Sequence, residues 1–433
     1  MSTTSTVAVI ALVVTFLVML LLRFPIALVL VGSTLVAAWI VDLPLEAIGQ
    51  QLIQGLNSFT LLAIPFFILA GQIMSEGGLA LRLVNLAQLF VGAIRGGLAL
   101  VNCVACLLFG NISGSAAADV SSVGSVMIPM MKKKKYPADF CVGLTSVAAV
   151  QGVVMPPSHN MILYAVAAGS VSISSLFMAG VIPALLMLAG LFITAYFVSV
   201  KRGYEKGEPV QWKQVPRIIA DGLLSLMTGV IILGGIFTGW FTATESGAIA
   251  CVYAFLLTFF IYRDLPLRHF IVILKKTFRT VALVFFLIAA SKAFGFILAY
   301  LKIPMLVTDL FLSISDNVYV ILLLINILLL LLGSPMDMAP LILIMTPILY
   351  PVVTSMGVDP VHFGIIMIMN LGLGLVTPPV GTVLFVGCAI GKVTIEQGAK
   401  AAIPFFLAMV GVLMLVTYVP EISLWLPGMM SGR

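Results

Sequence analysis

The chain has 433 residues, of which 62% are hydrophobic and 9% are charged, and its formal net charge is +6. A soluble domain of this length cannot bury so much apolar side chain, so this composition excludes a soluble protein. The five cysteines are odd in number and lie in apolar runs, which argues against a disulfide framework. Cys103 and Cys106 are spaced as C-x-x-C, but here we expect small packing residues. The sequence predicts an all-α polytopic membrane protein.

Ten segments are long and apolar enough to cross a bilayer, which takes about 20 residues. They are 6–23, 24–41, 57–75, 139–168, 175–200, 217–239, 246–262, 275–300, 361–391 and 397–418. Two further apolar regions, 96–131 and 310–350, are each interrupted by a polar or Gly/Pro cluster near the middle. We predict that both are re-entrant hairpins, because non-helical backbone at membrane depth must be enclosed by protein or water. The amphipathic stretch 79–94 is predicted to lie along the interface.

The positive charges predict the orientation of the chain in the membrane. With the N-terminus outside, 19 of the 22 Lys and Arg residues lie in the inner loops or at the inner ends of spans. The four-lysine run 132–135 is then an inside anchor, and no nucleic-acid partner is indicated. The polar segment 201–217 becomes a cytoplasmic linker. We therefore predict an inner-membrane protein whose N-terminus is periplasmic, with membrane lipid around its spans.

The chain repeats itself at a nearly constant distance. The motif Asp-Leu-Pro-Leu at 42–45 recurs 222 residues later at 264–267, and the Pro-Pro pair at 156–157 recurs at 378–379. Five predicted membrane crossings separate equivalent positions of the two copies. Because five is odd, the second copy enters the membrane from the opposite side. This predicts an inverted-topology repeat, which is typical of secondary transporters, with halves 1–216 and 217–433. The alternative is a duplicated scaffold with a purely structural role.

Each predicted half contains one hairpin tip and one broken helix. The tips are 111–115 and 333–337, and the breaks are 155–160 and 377–382. The Pro-Pro pair forces each broken helix to unwind, which frees carbonyl oxygens at one end and N–H groups at the other. Carbonyl oxygens with Ser, Thr and Asn side chains suit sodium, and N–H groups at helix ends suit a carboxylate. We therefore predict two sodium sites with an organic acid anion between them.

These four irregular elements supply all the candidate ligands. The candidates for the sodium sites are Asn111, Ser113, Gly114, Pro156, Gly333, Met336, Asp337, Thr377 and Gly381. The candidates for contact with the anion are Ser115, Ser158, His159, Asn160, Gly381 and Thr382.

Four ionisable residues at membrane depth have alternative interpretations. Asp337 belongs to the second sodium site or caps the following helix. Asp119, one turn beyond the first tip, is functional or caps locally. His159 contacts substrate or relays a proton, or it is a hydrogen-bonded structural histidine. Lys292 pairs with an acid or faces a cavity.

At these motifs the sequence resembles the large membrane subunit of the tripartite ATP-independent periplasmic (TRAP) transporters. The similar stretches are 110–115, 155–158, 336–340, 360–364 and 377–384, and the resemblance runs nearly end to end. It implies a sodium-coupled, elevator-type importer of organic acids in a bacterial inner membrane. It also implies a separate small four-helix membrane subunit and a soluble periplasmic binding protein. His159 and Asn160 after the Pro-Pro-Ser run resemble the sugar-acid branch, which includes sialic acid transporters, more than the C4-dicarboxylate branch.

Three other functions compete with this interpretation. A stand-alone sodium–carboxylate symporter would share the inverted hairpins and need no partners. An ion channel would also use re-entrant hairpins, but two unlike tips entering from opposite faces suit alternating access better. An intramembrane enzyme is not indicated, because no nucleophile–base pair or H-E-x-x-H motif is found in the sequence.

Overall fold

The computed structural model describes residues 3–207 and 212–430. Within these ranges every regular element is helical, apart from one isolated bridge between Arg95 and Lys206. Eight helices there are long and apolar enough to cross a membrane, or up to ten if each of two bent helix pairs counts as one span. The all-α polytopic fold is therefore confirmed. Residues 208–211 of the predicted cytoplasmic linker, and Arg433, lie outside the described residues.

The first half contains eleven α-helices in the described residues, together with a 3-10 turn at Phe59–Leu62 and a π-helical stretch at Val120–Gly124. They are α1 (Thr3–Leu21), α2 (Ile26–Ile40), α3 (Leu45–Leu56), α4 (Ala63–Glu76), α5 (Leu79–Val91), α6 (Gly97–Ser113), α7 (Ala116–Asp119), α8 (Ser125–Lys133), α9 (Ala138–Val154), α10 (His159–Ala168) and α11 (Ile173–Lys201). Prolines at the N-caps of α2, α3 and α9 hold the backbone in an extended conformation immediately before each helix.

The second half contains ten α-helices in the described residues, together with a π-helical stretch at Leu257–Tyr262. They are α12 (Val215–Phe237), α13 (Ala243–Leu256), α14 (His269–Tyr300), α15 (Ile303–Ile314), α16 (Val318–Gly333), α17 (Met338–Ser355), α18 (Pro360–Gly374), α19 (Thr382–Gly391), α20 (Ile395–Tyr418) and α21 (Glu421–Met430). Thr242 and Thr394 begin α13 and α20 with reciprocal capping boxes to Glu245 and Gln397.

The order of helices repeats in the two halves. A helical hairpin, a broken helix and a long helix follow one another as α6–α8, α9–α10 and α11, and again as α16–α17, α18–α19 and α20. Both Pro-Pro bonds, at 156–157 and at 378–379, are cis. This order is the repeat that the sequence predicts, whereas the boundary between 216 and 217 stays a prediction.

Several predicted boundaries are wrong. The region 310–350 is not one hairpin: α15 ends at Ile314, and the hairpin runs from Val318 to Ser355. Asn317 accepts a hydrogen bond from the Tyr319 N–H at 2.9 Å, so its side chain caps a new helix there. Helix α3 lies between the predicted spans 24–41 and 57–75, where no helix was predicted, and α21 follows the last predicted span.

Helix α14 is longer than predicted, with 32 residues instead of 26. At the repeat distance its first three turns correspond to α3 and the rest to α4, which Asn57 and Ser58 separate in the first half. The early turns of α14 carry Lys275, Lys276 and Arg279. Glu76 at the end of α4 accepts a hydrogen bond from Lys276 at 2.8 Å, so the two helices are tied together at this end.

The helices pack as two groups. The hairpin group consists of α6–α10 and α16–α19, and α9 and α18 lie at its centre. Residues 140–154 of α9 and 362–374 of α18 are all buried. Such continuous burial explains why both helices are apolar on every face. The frame group consists of α2–α4 and α12–α14: α2, α3 and α4 pack on α14, α13 packs on α4, and α12 packs on α13. Helices α5 and α15 lie between the groups, where α5 contacts α6 and α12, and α15 contacts α14 and α17.

Candidate functional site

The first hairpin tip is a tight turn that faces the first broken helix. Gly114 has a φ of +60°, a conformation that favours glycine. A Cβ atom built on it would lie 3.3 Å from both Nδ1 of His159 and the carbonyl oxygen of Pro157. Asn160 donates a hydrogen bond to the Gly114 carbonyl at 3.5 Å. The structure therefore brings this tip and this break together.

Two serines order the backbone of the first tip. The Ser115 N–H donates to Oγ of Ser113 at 3.2 Å, and Oγ of Ser115 caps α7 by accepting from the Ala118 N–H at 3.4 Å. Ser158 is buried, and its Oγ has no hydrogen-bond partner among the described residues. An unpaired buried hydroxyl is costly, so Ser158 is available to a ligand at this break.

Asp119 belongs to the first tip more closely than its sequence position indicates. It is fully buried, and its carboxylate accepts a hydrogen bond from the Ser113 hydroxyl. Its second oxygen, Oδ2, has no partner among the described residues and faces Gly110, where an added Cβ would lie 2.9 Å away. Asp119 is not among the predicted ligands, although its carboxylate at membrane depth was the signal that could have identified it.

The side chain of Asn111 does not face the first break. A Cβ atom built on Gly229 of α12 would lie 2.6 Å from Oδ1 of Asn111. Asn111 therefore points from the hairpin group to the frame group. His159 also differs from one expectation: no hydrogen bond joins it to a described residue, so the structural interpretation of this histidine is not supported.

The second tip and break are joined by Ser334, which sequence reasoning did not select. Its Oγ donates to the carbonyls of Thr377 at 3.2 Å and Pro378 at 2.5 Å. Its own carbonyl accepts from the Gly381 N–H at 3.3 Å. Its place in the Gly-Ser-Pro cluster of the tip was the available signal. Thr377 itself donates to the Leu373 carbonyl at 2.8 Å, which turns its hydroxyl back onto α18.

Asp337 caps the helix that follows the second tip. Its Oδ1 accepts from the Met338 N–H at 2.9 Å at the start of α17, and the residue is exposed. The capping interpretation is therefore observed, and its second carboxylate oxygen is available for a further contact. Met336 beside it is half-buried.

The tip and the break of one half, which together we call a constellation, are connected to those of the other half by helix contacts within the hairpin group. Helix α17, which follows the second tip, packs on α10, which follows the first break. Helix α7, which follows the first tip, contacts α19, which follows the second break. The first constellation is largely buried, whereas Pro378, Pro379 and Thr382 of the second are exposed. The tips and breaks of both halves thus lie in one region of the hairpin group, and those of the second half are more exposed than those of the first.

Gly374 should be essential for seating the second tip on α18. A Cβ atom at this position would lie 2.6 to 2.8 Å from three backbone atoms of Gly333, so Gly374→Ala forces the hairpin away. Overpacking of this kind costs about 1–3 kcal/mol. We expect a lower melting temperature of the purified protein and strongly reduced uptake. Gly411→Ala is the control, because no atom lies within 4 Å of its added Cβ. Equal behaviour of the two variants would contradict this packing.

Comparisons with known proteins identify the family of this chain. A family model described as "Tripartite ATP-independent periplasmic transporter, DctM component" matches residues 13–422. The chain is 41% identical over 384 residues to the sialic acid TRAP transporter large permease protein SiaM of Vibrio cholerae, covering 89% of this chain and 90% of that protein. It is 37% identical to the C4-dicarboxylate TRAP transporter large permease protein DctM of Rhodobacter capsulatus, covering 90% of this chain and 92% of that protein.

A solved structure supports the fold. The YdaH transporter of Alcanivorax borkumensis superposes with a TM-score of 0.61 at 14% identity, covering 86% of this chain and 88% of that one. At this identity the likeness concerns the fold alone. The family match and the curated relatives make the protein a transporter rather than an enzyme. The chain therefore belongs to the TRAP transporter family as its large permease, a multi-pass inner-membrane subunit that transports organic acids with a small membrane subunit and a periplasmic binding protein.

Proposed function

We propose that this permease imports an organic acid anion by sodium symport, with its N-terminus on the periplasmic side. The observation that carries the proposal is the pair of tip-and-break constellations. In each, a hairpin tip from one element meets the unwound part of a broken helix, through Gly114 with Asn160 and through Ser334 with Thr377. Both are built from hydroxyl and carbonyl oxygens, which are the ligands that hard cations prefer.

The first sodium site is proposed around Ser113, Gly114 and Pro156. The buried carboxyl group of Asp119 lies one hydrogen bond away through Ser113 and would supply negative charge to a sodium ion bound there. The second site is proposed around Gly333, Met336, Asp337 and Thr377, where Asp337 is the charged group. Each site would then offer one carboxylate to one or more sodium ions.

The substrate anion is proposed to lie between these sites. Helices α10 and α19 begin there, and helix N-termini attract anions through their free N–H groups. The unpaired Ser158 hydroxyl and the His159 ring lie at the start of α10, and Thr382 lies at the start of α19. His159 and Asn160 favour a sugar acid such as sialic acid, with a C4-dicarboxylate as the alternative substrate.

We further propose that the hairpin group carries these sites across the membrane past the frame group. The hairpins and the broken helices pack on one another around α9 and α18, which supports movement as one body. Helices α5 and α15 connect the two groups and are suited to act as flexible arms. This is an elevator mechanism, because the binding elements travel with the substrate.

Uptake by the full complex in liposomes tests the symport. Sialic acid and succinate, each supplied on its binding protein, should accumulate with an inward sodium gradient and not with potassium or a proton gradient alone. Accumulation that is equal with and without sodium would refute symport. Accumulation of neither acid would reject both proposed substrates.

Asp337→Asn should reduce the sodium dependence of uptake without unfolding the protein. Asparagine caps a helix about as well as aspartate, so α17 should keep its start while the site loses its charge. The matched control is Asp359→Asn, because Asp359 caps α18 with a hydrogen bond of 2.7 Å from the Val361 N–H. We expect the half-saturating sodium concentration to rise for Asp337→Asn only. An unchanged sodium curve would remove Asp337 from the site.

A further inference from the structure

A cavity of about 480 Å³ lies between the two helix groups, away from the tips and breaks. One wall comes from the frame group, where α3 and α14 face it with residues spaced three and four apart. The opposite wall comes from the end of α10 and from Leu343 and Pro347 of α17, in the hairpin group. None of the candidate sodium or substrate ligands lines it. Its volume falls in the range of sites that bind small molecules.

The frame wall of this cavity is polar and carries one cation. Its polar side chains are Gln51, Gln54, Ser58, Thr60, Ser291 and Lys292. Among the described residues, no carboxylate lies within salt-bridge distance of Lys292. Ser291 is only 6% exposed, and its Oγ has no hydrogen-bond partner in the described chain. The cavity therefore holds an unpaired ammonium beside an unpaired hydroxyl.

The packing around Lys292 directs it into this space. Its stem crosses Gly55 of α3, where an added Cβ atom would lie 2.8 Å from Cβ of Lys292. The glycine leaves room for the lysine, and the two helices approach closely at this point. An unpaired charge on a membrane helix is expensive, and such residues normally face a cavity and serve a ligand or a charge pathway.

We propose that this cavity is an accessory binding site for an organic carboxylate. The Lys292 ammonium would neutralise the anion, and the Ser291 hydroxyl and the Gln51 amide would donate hydrogen bonds to its oxygens. The site rests on the proposed function, because it would hold the anion on the frame group before or after the carried site. Its second wall belongs to the moving group, so the cavity would change size with each transport cycle.

Thiol labelling tests the charge of the cavity without a transport measurement. A cysteine is placed at the exposed Gln54 in the complex with the small subunit, where the five native cysteines of this chain are all buried. Its reaction rates with anionic sulfonatoethyl and cationic trimethylammonioethyl methanethiosulfonate are compared in sodium-free buffer. The ratio of these rates cancels any change in thiol reactivity itself. A unit positive charge a few ångströms away should favour the anionic reagent by about tenfold.

Three lysine variants distinguish the effect of the charge at Lys292 from the effect of removing any lysine near this region. Lys292→Gln should lower the ratio by about tenfold, whereas Lys292→Arg should preserve it. Lys302→Gln is the matched control. Lys302 precedes α15 just beyond the end of α14, the helix that carries Lys292, and it does not line the cavity. A ratio that is unchanged by Lys292→Gln, or lowered equally by Lys302→Gln, would overturn the proposal.

Protection from labelling tests anion binding. Succinate or sialic acid at millimolar concentration should slow labelling of the Gln54 position, and the K292Q variant should lose this protection. Absence of protection by both acids at tens of millimolar would reject a binding site even if the charge effect is present. The two proposals fail separately: sodium-independent uptake with intact protection refutes symport alone, and sodium-driven uptake without protection refutes the accessory site alone.

Discussion

Liposomes that contain only this permease should take up no more sialic acid or succinate than protein-free liposomes. Uptake should appear when the small membrane subunit and the substrate-loaded binding protein are both added. The described chain has no soluble domain to collect dilute substrate, and its relatives are large permeases of tripartite systems. The frame group also exposes large apolar side chains, among them Val230 on α12, Val252 on α13 and Phe278 on α14, which lipid or a partner helix must cover.

The control adds each partner separately, because a missing small subunit and a missing binding protein should each leave uptake at background. The binding protein should associate weakly, since tight docking would prevent turnover. Robust sodium-driven uptake of free substrate by the permease alone would instead favour the stand-alone symporter.

A disulfide between α14 and α17 should stop transport completely. A Cβ atom built on Gly295 lies 3.8 Å from Cβ of Pro347, which is the separation that a disulfide requires. Gly295→Cys with Pro347→Cys would therefore lock the frame group to the second hairpin in the arrangement observed here. Reduction with dithiothreitol should restore uptake, and the extent of the link can be read from the mobility of a proteolytically cleaved chain.

The matched control is a disulfide inside the frame group. Gly247→Cys with Phe66→Cys joins α13 to α4, where the added Cβ of Gly247 lies 3.1 Å from that of Phe66. This pair needs only a small adjustment to form the bond, and it should leave uptake intact. Normal uptake with the α14–α17 link fully formed would show that these two helices do not move apart during transport.

Large parts of the fold follow from the sequence because they depend on local signals. Runs of apolar residues predict the spans, and the Pro-Pro pairs locate both breaks at the positions found in the structure. Helix α3 was not predicted because its composition, with Glu46, Gln50, Gln51 and Gln54, resembles a polar loop, and its packing on α14 is evident only in the structure. Helix α15 is apolar, but its 12 residues are too few for a span, and those from 310 onward were assigned to the predicted hairpin.

The site was predictable as a location and less so as a set of side chains. The tips and breaks meet as expected, because each interrupts an apolar region with polar, Gly or Pro residues that are evident in the sequence. The direction of a single side chain depends on helix packing that the sequence does not reveal: Asn111 faces Gly229 of another group, and Ser334 bridges to Thr377. The cavity beside Lys292 is harder still to foresee, because its walls come from four helices that are far apart in the chain.

Positive charges lie near the start of α14 and, at Lys302, just beyond its end, whereas Lys292 between them faces the cavity. Arg279 and Lys302 are separated by a stretch that spans roughly 35 Å as a helix, which is close to the thickness of the hydrocarbon layer. A shift of one helical turn, about 5.4 Å, would move Lys275, Lys276 and Arg279 towards the lipid tails in one direction and Lys302 in the other. The free energy of such a charge rises towards about 2.5–3.5 kcal/mol at the bilayer centre. Under the elevator mechanism proposed above, these charges would hold α14 at one depth while the hairpin group moves past it.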